Sequence, residues 1–210
     1  MSRFLLSRRE ILERCAALGV LAAAAPISSS ALVSLYEERE RRHVTPGNAL
    51  GPFYKRKAPE STNLRVPGDP GMPVSISGQI VDTRGELLPG ATIEIWHSDH
   101  LGHYDIDGYR YRALMHTNAK GEYGFASLMP GHYPDRVAQH VHYLVQAPGY
   151  KPLATQLYFA TDPVFKGDPD KNFNVDPLCT SRELVRPVLL AGDPKDIEAK
   201  VSFDICLEKL

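Results

Sequence analysis

The chain has 210 residues, 24 Lys and Arg against 25 Asp and Glu, a formal net charge of −1, and 43% hydrophobic residues. That balance excludes the basic field on which nucleic-acid binding depends. With an N-terminal leader set aside, about 175 residues remain, enough for one domain around a single core.

Residues 1–26 read M-S-R-F-L-L-S-R-R-E-I-L-E-R-C-A-A-L-G-V-L-A-A-A-A-P. Arg8 and Arg9 follow Ser7 and precede an apolar run from Ala16 to Ala25, with small residues at Ser28 to Ala31. A basic start, an apolar stretch too short to span a bilayer and a small-residue cleavage zone are the layout of a bacterial export signal of the twin-arginine kind. The alternative, an amphipathic first helix, lacks a polar stripe through the apolar run. Residues 1–31 are therefore expected to direct export to the periplasm or beyond, leaving no stable membrane anchor after removal. Leaving out their four arginines and two glutamates takes the formal charge from −1 to −3. Only Cys179 and Cys206 then remain, and an oxidising compartment permits a bridge between them. Residues 32–50, with the run Glu37 to Arg42, read as a charged linker or short helix, and the domain proper as 51–210.

From Val74 onward, short β-rich runs alternate with turn clusters. The expected strands are Val74 to Val81, Ala91 to Trp96, Tyr123 to Ala126, Ala138 to Gln146, Thr155 to Phe159 and Val201 to Leu207. Turn signals separate them at Asp82 to Gly85, Pro89-Gly90, Asn118 to Gly121 and Pro148-Gly149. The pattern predicts an all-β, antiparallel-rich sandwich with long loops and little helix. By itself such a sandwich carries no chemistry, and many binding modules share it.

Chemistry enters with His140 and His142, an i, i+2 pair whose rings share one face of an extended strand. Pro130, Gly131 and Pro134 bracket Tyr133 in a turn just upstream. Seven of the eight histidines fall between His97 and His142. A lone His-x-His on a half-buried strand is ordinarily only hydrogen-bonded. Zinc would draw on Cys, His or carboxylate ligands rather than tyrosine, and a two-histidine, one-carboxylate iron(II) centre would need Asp135 or Asp105.

Taken together, the motifs resemble the intradiol ring-cleavage dioxygenases. The likeness runs through Gly51-Pro-Phe-Tyr54, Gly90 to Trp96, Gly102-His-Tyr104, Gly121 to Phe125, Pro130-Gly-His-Tyr-Pro134, His140-Val-His142 and Thr155 to Phe159 with Asp162-Pro163. The resemblance implies a β-sandwich enzyme with non-haem Fe(III), which opens a catecholic ring between its two hydroxyls with O2 to give a muconate-type diacid. It implies that Tyr104, Tyr133, His140 and His142 hold the metal, and that Arg136 and Gln156 offset developing negative charge. Hard Fe(III) favours anionic oxygen, and a cation converts a phenol of pKa about 10 into a phenolate ligand. The partners implied are a small catecholic substrate and O2; oligomeric state is left open, a homo-oligomer included. The rival of another class is a transthyretin-like binding module or a degenerate homologue, which would have no need for four convergent ligands.

This chain departs from the family pattern twice. His97 stands where the family has glutamine after the tryptophan, so the surroundings of Tyr104 are expected to differ. The family arginine stands three residues before the first histidine, where this chain has Val137, with Arg136 one step further back. A bulge or turn after Pro134 is expected to absorb that step and still bring the guanidinium to the substrate side. Ring substituents are expected to meet residues around Tyr54, Asp105 to Arg112 and Lys166 to Phe173.

Overall fold

A computed structural model of the chain describes residues 42–133, 136–193 and 197–210. The leader and most of the charged segment lie outside these residues. Among the described residues ten strands form two five-stranded sheets. In the first, β1 (Pro73–Asp82) is central; β4 (Glu122–Leu128) pairs with it antiparallel, β9 (Glu198–Ser202) and β10 (Ile205–Leu207) pair with it in parallel, and β8 (Val188–Ala191) lines the far side of β9. In the second the order is β3-β2-β5-β6-β7, from β3 (Arg112–His116) and β2 (Thr92–Trp96) through β5 (His140–Gln146) and β6 (Leu153–Phe159) to β7 (Val185–Arg186). Among the described residues helix is confined to single turns, of which α1 (Pro169–Asn172) begins on a Pro behind the Asp168 cap.

Period-two alternation explains the layering. Val74 and Ile76 of β1 are buried, as are Ile93 and Ile95 of β2 and Val141, Tyr143 and Val145 of β5. These sets meet between the sheets, where Tyr143 packs edge-on against Tyr123 and Phe203 at ring distances of 6.3 and 5.3 Å. Burying each such side chain contributes about 1.5–3 kcal/mol. The Tyr123 hydroxyl is not left orphaned; it donates to the Phe203 carbonyl at 2.6 Å.

All six expected strands are present, and the differences are instructive. Val201 to Leu207 is divided at residues 203–204 into β9 and β10, and there Gly78 of β1 lies so near Phe203 that a Cβ would stand 2.0 Å from the Phe203 carbonyl oxygen. The Asp204 carboxylate fills the gap by accepting the Gln79 N–H at 2.9 Å. β3 escapes a pattern reading because its outward Leu114 is covered by a bridge to Glu60, which blurs the alternation. β7 and β8 are separated by Pro187 and belong to different sheets. The bridge left open between Cys179 and Cys206 is absent: both are free, buried thiols. Cys206 lies on β10 against β1, whereas Cys179 follows Asp176 in the loop beyond α1, where burial pushes its thiol up to about 12.

Candidate metal centre

The same alternation that sends Val141 and Tyr143 inward sends His140 and His142 to the other face of the second sheet. Cross-strand register then assembles a row across four strands: Arg112 opposes Trp96, Trp96 opposes His142, and His142 opposes Gln156. His140 opposes Tyr158 in the next row. A sheet's outer face is ordinarily wet, yet His142 and Gln156 are 1% and 0% exposed. The cover is the stretch 45–54, which crosses the strands in turn. The Pro46 carbonyl accepts from Thr155 Oγ1 (2.7 Å), the Ala49 carbonyl accepts from Gln156 Nε2 (2.8 Å), Tyr54 packs on Trp96, and Arg112 Nη1 donates to the Phe53 carbonyl (2.6 Å). Gly51 passes directly over the His142 ring with φ +76°, and a Cβ there would stand 3.1 Å from His142 Cε1. Trp96 stacks on the same ring at 4.9 Å and 5°. His142 is thus fixed among Trp96, Gly51 and Gln156.

Two glycines bring the two tyrosines together. Gly102 precedes Tyr104 by two residues and Gly131 precedes Tyr133 by two, and their loops meet backbone to backbone. A Cβ on Gly102 would lie 1.9 Å from the His132 carbonyl oxygen, and one on Gly131 would lie 2.3 Å from that of His100. Gly131 N donates to the Asp99 carbonyl at 2.7 Å. The resulting tyrosine rings are 5.7 Å apart and nearly perpendicular, at 84°. The Tyr104 hydroxyl stands 3.3 Å from His140 Nε2, Tyr133 lies 5.7 Å from the His140 ring, and the two histidine rings are 4.8 Å apart. All four residues named from the motifs therefore converge. An oxygen-to-nitrogen separation of this size suits two ligands each roughly 2 Å from a shared ion.

The donor set fits a hard cation. His140 Nδ1 donates to the Ala138 carbonyl at 2.8 Å, which leaves the Nε2 lone pair facing Tyr104. The His142 ring bonds the Ala49 backbone, and its Nδ1 stands 3.2 Å from the Gln156 amide nitrogen. Burial drives the His140 pKa down to about 4, with Arg136 adding to the effect, and holds that of His142 well below its usual range. Both rings are thus neutral, as ligands must be. Burial raises the Tyr104 phenol far above its usual range, its neighbour Tyr133 adding; burial raises Tyr133 as well, against the pull of Arg136. Without a cation the phenols keep their protons; with one they supply anionic oxygen. Among the described residues no three His, Cys, Asp or Glu side chains gather as a metal-binding group. The Asp105 carboxylate instead accepts N–H bonds from Gly108 and Arg110, while Asp135 lies outside the described residues.

Arg136 and Gln156 lie beside the cluster. Arg136 N donates to the Tyr133 carbonyl (2.9 Å) and Tyr133 N to that of Arg136 (3.4 Å), a reciprocal antiparallel pair. Directly opposed residues share a face, so Arg136 follows Tyr133 inward while Val137 is 42% exposed. Residues 134 and 135 of the expected turn lie outside the described residues. The Arg136 Nη2 donates to Gln156 Oε1 (2.8 Å) and to the Tyr158 hydroxyl (2.7 Å).

His97 requires a correction, since it does not alter the surroundings of Tyr104. Its Nδ1 donates to the Ser98 carbonyl (2.7 Å), its Nε2 accepts from Ser127 Oγ on β4 (2.8 Å), and its ring stacks on Tyr111. It ties one sheet to the other, and burial lowers its pKa to about 4. Near Tyr104 the ring that matters is one that sequence reasoning passed over. Phe53 stacks on Tyr104 at 4.2 Å and 10°, whereas the adjacent Tyr54 bonds Glu94. Its signal lies in the motif Gly51-Pro-Phe-Tyr54.

Two facing sheets with a pair of phenols and a pair of imidazoles gathered under one strap define a β-sandwich with a tyrosine–histidine centre. The chain belongs to the intradiol dioxygenase family: a family model described as "Dioxygenase" matches residues 50–209. It is 32% identical to hydroxyquinol 1,2-dioxygenase of Corynebacterium glutamicum, over 78% of this chain and 63% of that protein. It is 30% identical to catechol 1,2-dioxygenase 2 of Acinetobacter lwoffii, over 59% of this chain and 54% of that protein. The chain thus spans only 54% to 63% of the length of these two relatives. Among solved structures, the dioxygenase domain of a dioxygenase carbohydrate-binding protein fusion from Streptomyces sp. SirexAA-E matches with a TM-score of 0.70 at 31% identity, covering 80% of this chain and all of that one. Catechol 1,2-dioxygenase from Acinetobacter sp. ADP1 matches with a TM-score of 0.69 at 26% identity, covering 85% and 67%.

Proposed function

We propose that this protein is an intradiol ring-cleaving dioxygenase that opens a catecholic ring between its two hydroxyls, both atoms of O2 entering the muconate-type diacid. The observation that carries this reading is the convergence of Tyr104, Tyr133, His140 and His142, with His140 Nδ1 engaged by the Ala138 carbonyl and its Nε2 facing the Tyr104 hydroxyl. These four residues would hold non-haem Fe(III). Bound there, iron(III) supplies Lewis-acid and templating chemistry to a chelated catecholate.

The remaining work falls to side chains. A catechol brings two phenolic protons, and a tyrosinate oxygen of Tyr104 or Tyr133 is the base at hand to accept one. Arg136 and Gln156 stand beside the cluster to offset negative charge on the ring oxygens. Phe53 on one face of Tyr104, with the 45–54 strap over His142, keeps water from the ligands. Residues 1–31 direct export by the twin-arginine route, which carries folded, metal-loaded proteins. Among the described residues no helix is long and apolar enough to cross a membrane.

Oxygen uptake by iron-loaded protein on catechol, protocatechuate and hydroxyquinol tests the reading. Consumption of O2 with formation of a ring-opened diacid is expected on at least one of them. Iron-loaded protein that consumes no O2 with any would overturn it.

A further inference from the structure

Asp176 belongs to none of the motifs that define the cluster, yet it is fully buried. It sits in the loop after α1, where its carboxylate accepts the backbone N–H groups of Leu178 (2.9 Å) and Ala138 (3.3 Å). Its remaining capacity goes to Arg136, whose Nε lies 3.2 and 3.1 Å from the two carboxylate oxygens. On the other side of the guanidinium, Tyr158 accepts from Nη2 (2.7 Å) and donates to Gln156 Oε1 (2.8 Å). Asn48 of the strap reaches the same hydroxyl at 3.3 Å. Among the described residues Nη1 makes none of the guanidinium's side-chain bonds to Asp176, Gln156 or Tyr158. A guanidinium clamped at Nε and Nη2 has its plane fixed.

The clamp also fixes Gln156. Two donors converge on Oε1, so the amide must present Nε2 to Ala49 and His142. Arg136 stands one residue further from His140 than the family pattern has it, on the short Tyr133 to Arg136 pair rather than on β5. Backbone register therefore turns it inward but does not fix the plane of its guanidinium. We propose that Asp176 and Tyr158 are positioning residues: both hold Arg136 at the cluster, and Tyr158 also bonds Gln156 directly. The inference rests on the proposed reaction and adds two residues to it.

The test is a pair of double-mutant comparisons on full-length protein. Asp176→Asn keeps the shape but turns an amide N–H toward Nε, and Tyr158→Phe removes one hydroxyl. Each single variant is expected to retain iron and to lose about 10- to 100-fold in kcat, because a displacement near 1 Å at a reacting centre costs that much. Asp176→Asn should cost less than about twofold in an Arg136→Gln background, and Tyr158→Phe less than about twofold once Gln156→Ala is added to that background, since the residues they position are then gone. In metal-free protein the Arg136 Nε–H NMR resonance should be distinct in the wild type and lost to solvent exchange in Asp176→Asn. Equal losses in both backgrounds, or no loss in either, would overturn the assignment. Should Asp176→Asn fail to fold, Tyr158→Phe carries the same comparison alone. An inactive wild type would instead strike at the proposed reaction, so the two failures are distinguishable.

Discussion

Gly102→Ala strikes at the contact that brings the two tyrosines together. Gly102 has φ +89°, and its missing Cβ would stand 1.9 Å from the His132 carbonyl oxygen and 3.1 Å from Tyr133 Cβ. A comfortable carbon-to-oxygen contact is about 3.3 Å, so the two loops must separate by more than about 1 Å. The left-handed backbone adds roughly 1–2 kcal/mol of strain for a residue with a Cβ, and forcing the loops apart adds about 1–3 kcal/mol. For a domain of this size that combination lowers Tm by roughly 4–20 °C. The separation falls between Tyr104 and Tyr133, so iron retention should suffer along with stability. Thermal unfolding and iron content, measured on one preparation, check both effects. A Gly102→Ala protein with unchanged Tm and full iron content would refute the claim that this backbone contact sets the tyrosine spacing.

Other expectations follow from the same geometry. Gly51→Ala, at φ +76° over His142 Cε1, should weaken iron retention while lowering Tm by less than Gly102→Ala, as read by dialysis against a chelator. His140→Ala removes the nitrogen nearest the Tyr104 hydroxyl and should abolish visible absorption of the loaded protein. His97, with a folded pKa near 4 against about 6.5 unfolded, takes up its proton in the unfolded state first. Its stabilising effect is therefore complete above pH 6.5 and lost as pH falls toward 4, with a slope of at most about 1.4 kcal/mol per pH unit. His97→Gln should flatten the denaturant-midpoint profile across that window, and an unchanged slope would contradict the assignment. Replacing both Arg8 and Arg9 by lysine should leave the precursor in the cytoplasm, with undiminished secretion pointing to another route.

What could be read from the sequence was what local chemistry encodes. Val, Ile and Tyr alternation with Gly-marked turns disclosed six strands, and the four cluster residues each lie in a short motif whose spacing is a local property. The row from Arg112 through Trp96 and His142 to Gln156 could not be read, because it depends on the register of strands brought together by long loops. The strap escaped for a related reason. Residues 45–50 have no periodicity of their own, and their order comes from bonds to β6 and β10 far along the chain, such as Thr45 N to the Cys206 carbonyl at 3.0 Å. Asp176 was hidden likewise, as its partner Arg136 is 40 residues away. The cysteine pairing rested on count and compartment, and neither brings Cys179 to Cys206.

Metal analysis together with the visible spectrum of purified full-length protein bears most directly on the centre at Tyr104, Tyr133, His140 and His142. Tyrosinate on iron(III) gives a charge-transfer band in the visible, so the account predicts a coloured, iron-containing protein whose band weakens in Tyr104→Phe and in Tyr133→Phe. A colourless protein carrying zinc, or an iron protein whose band survives both substitutions, would contradict it.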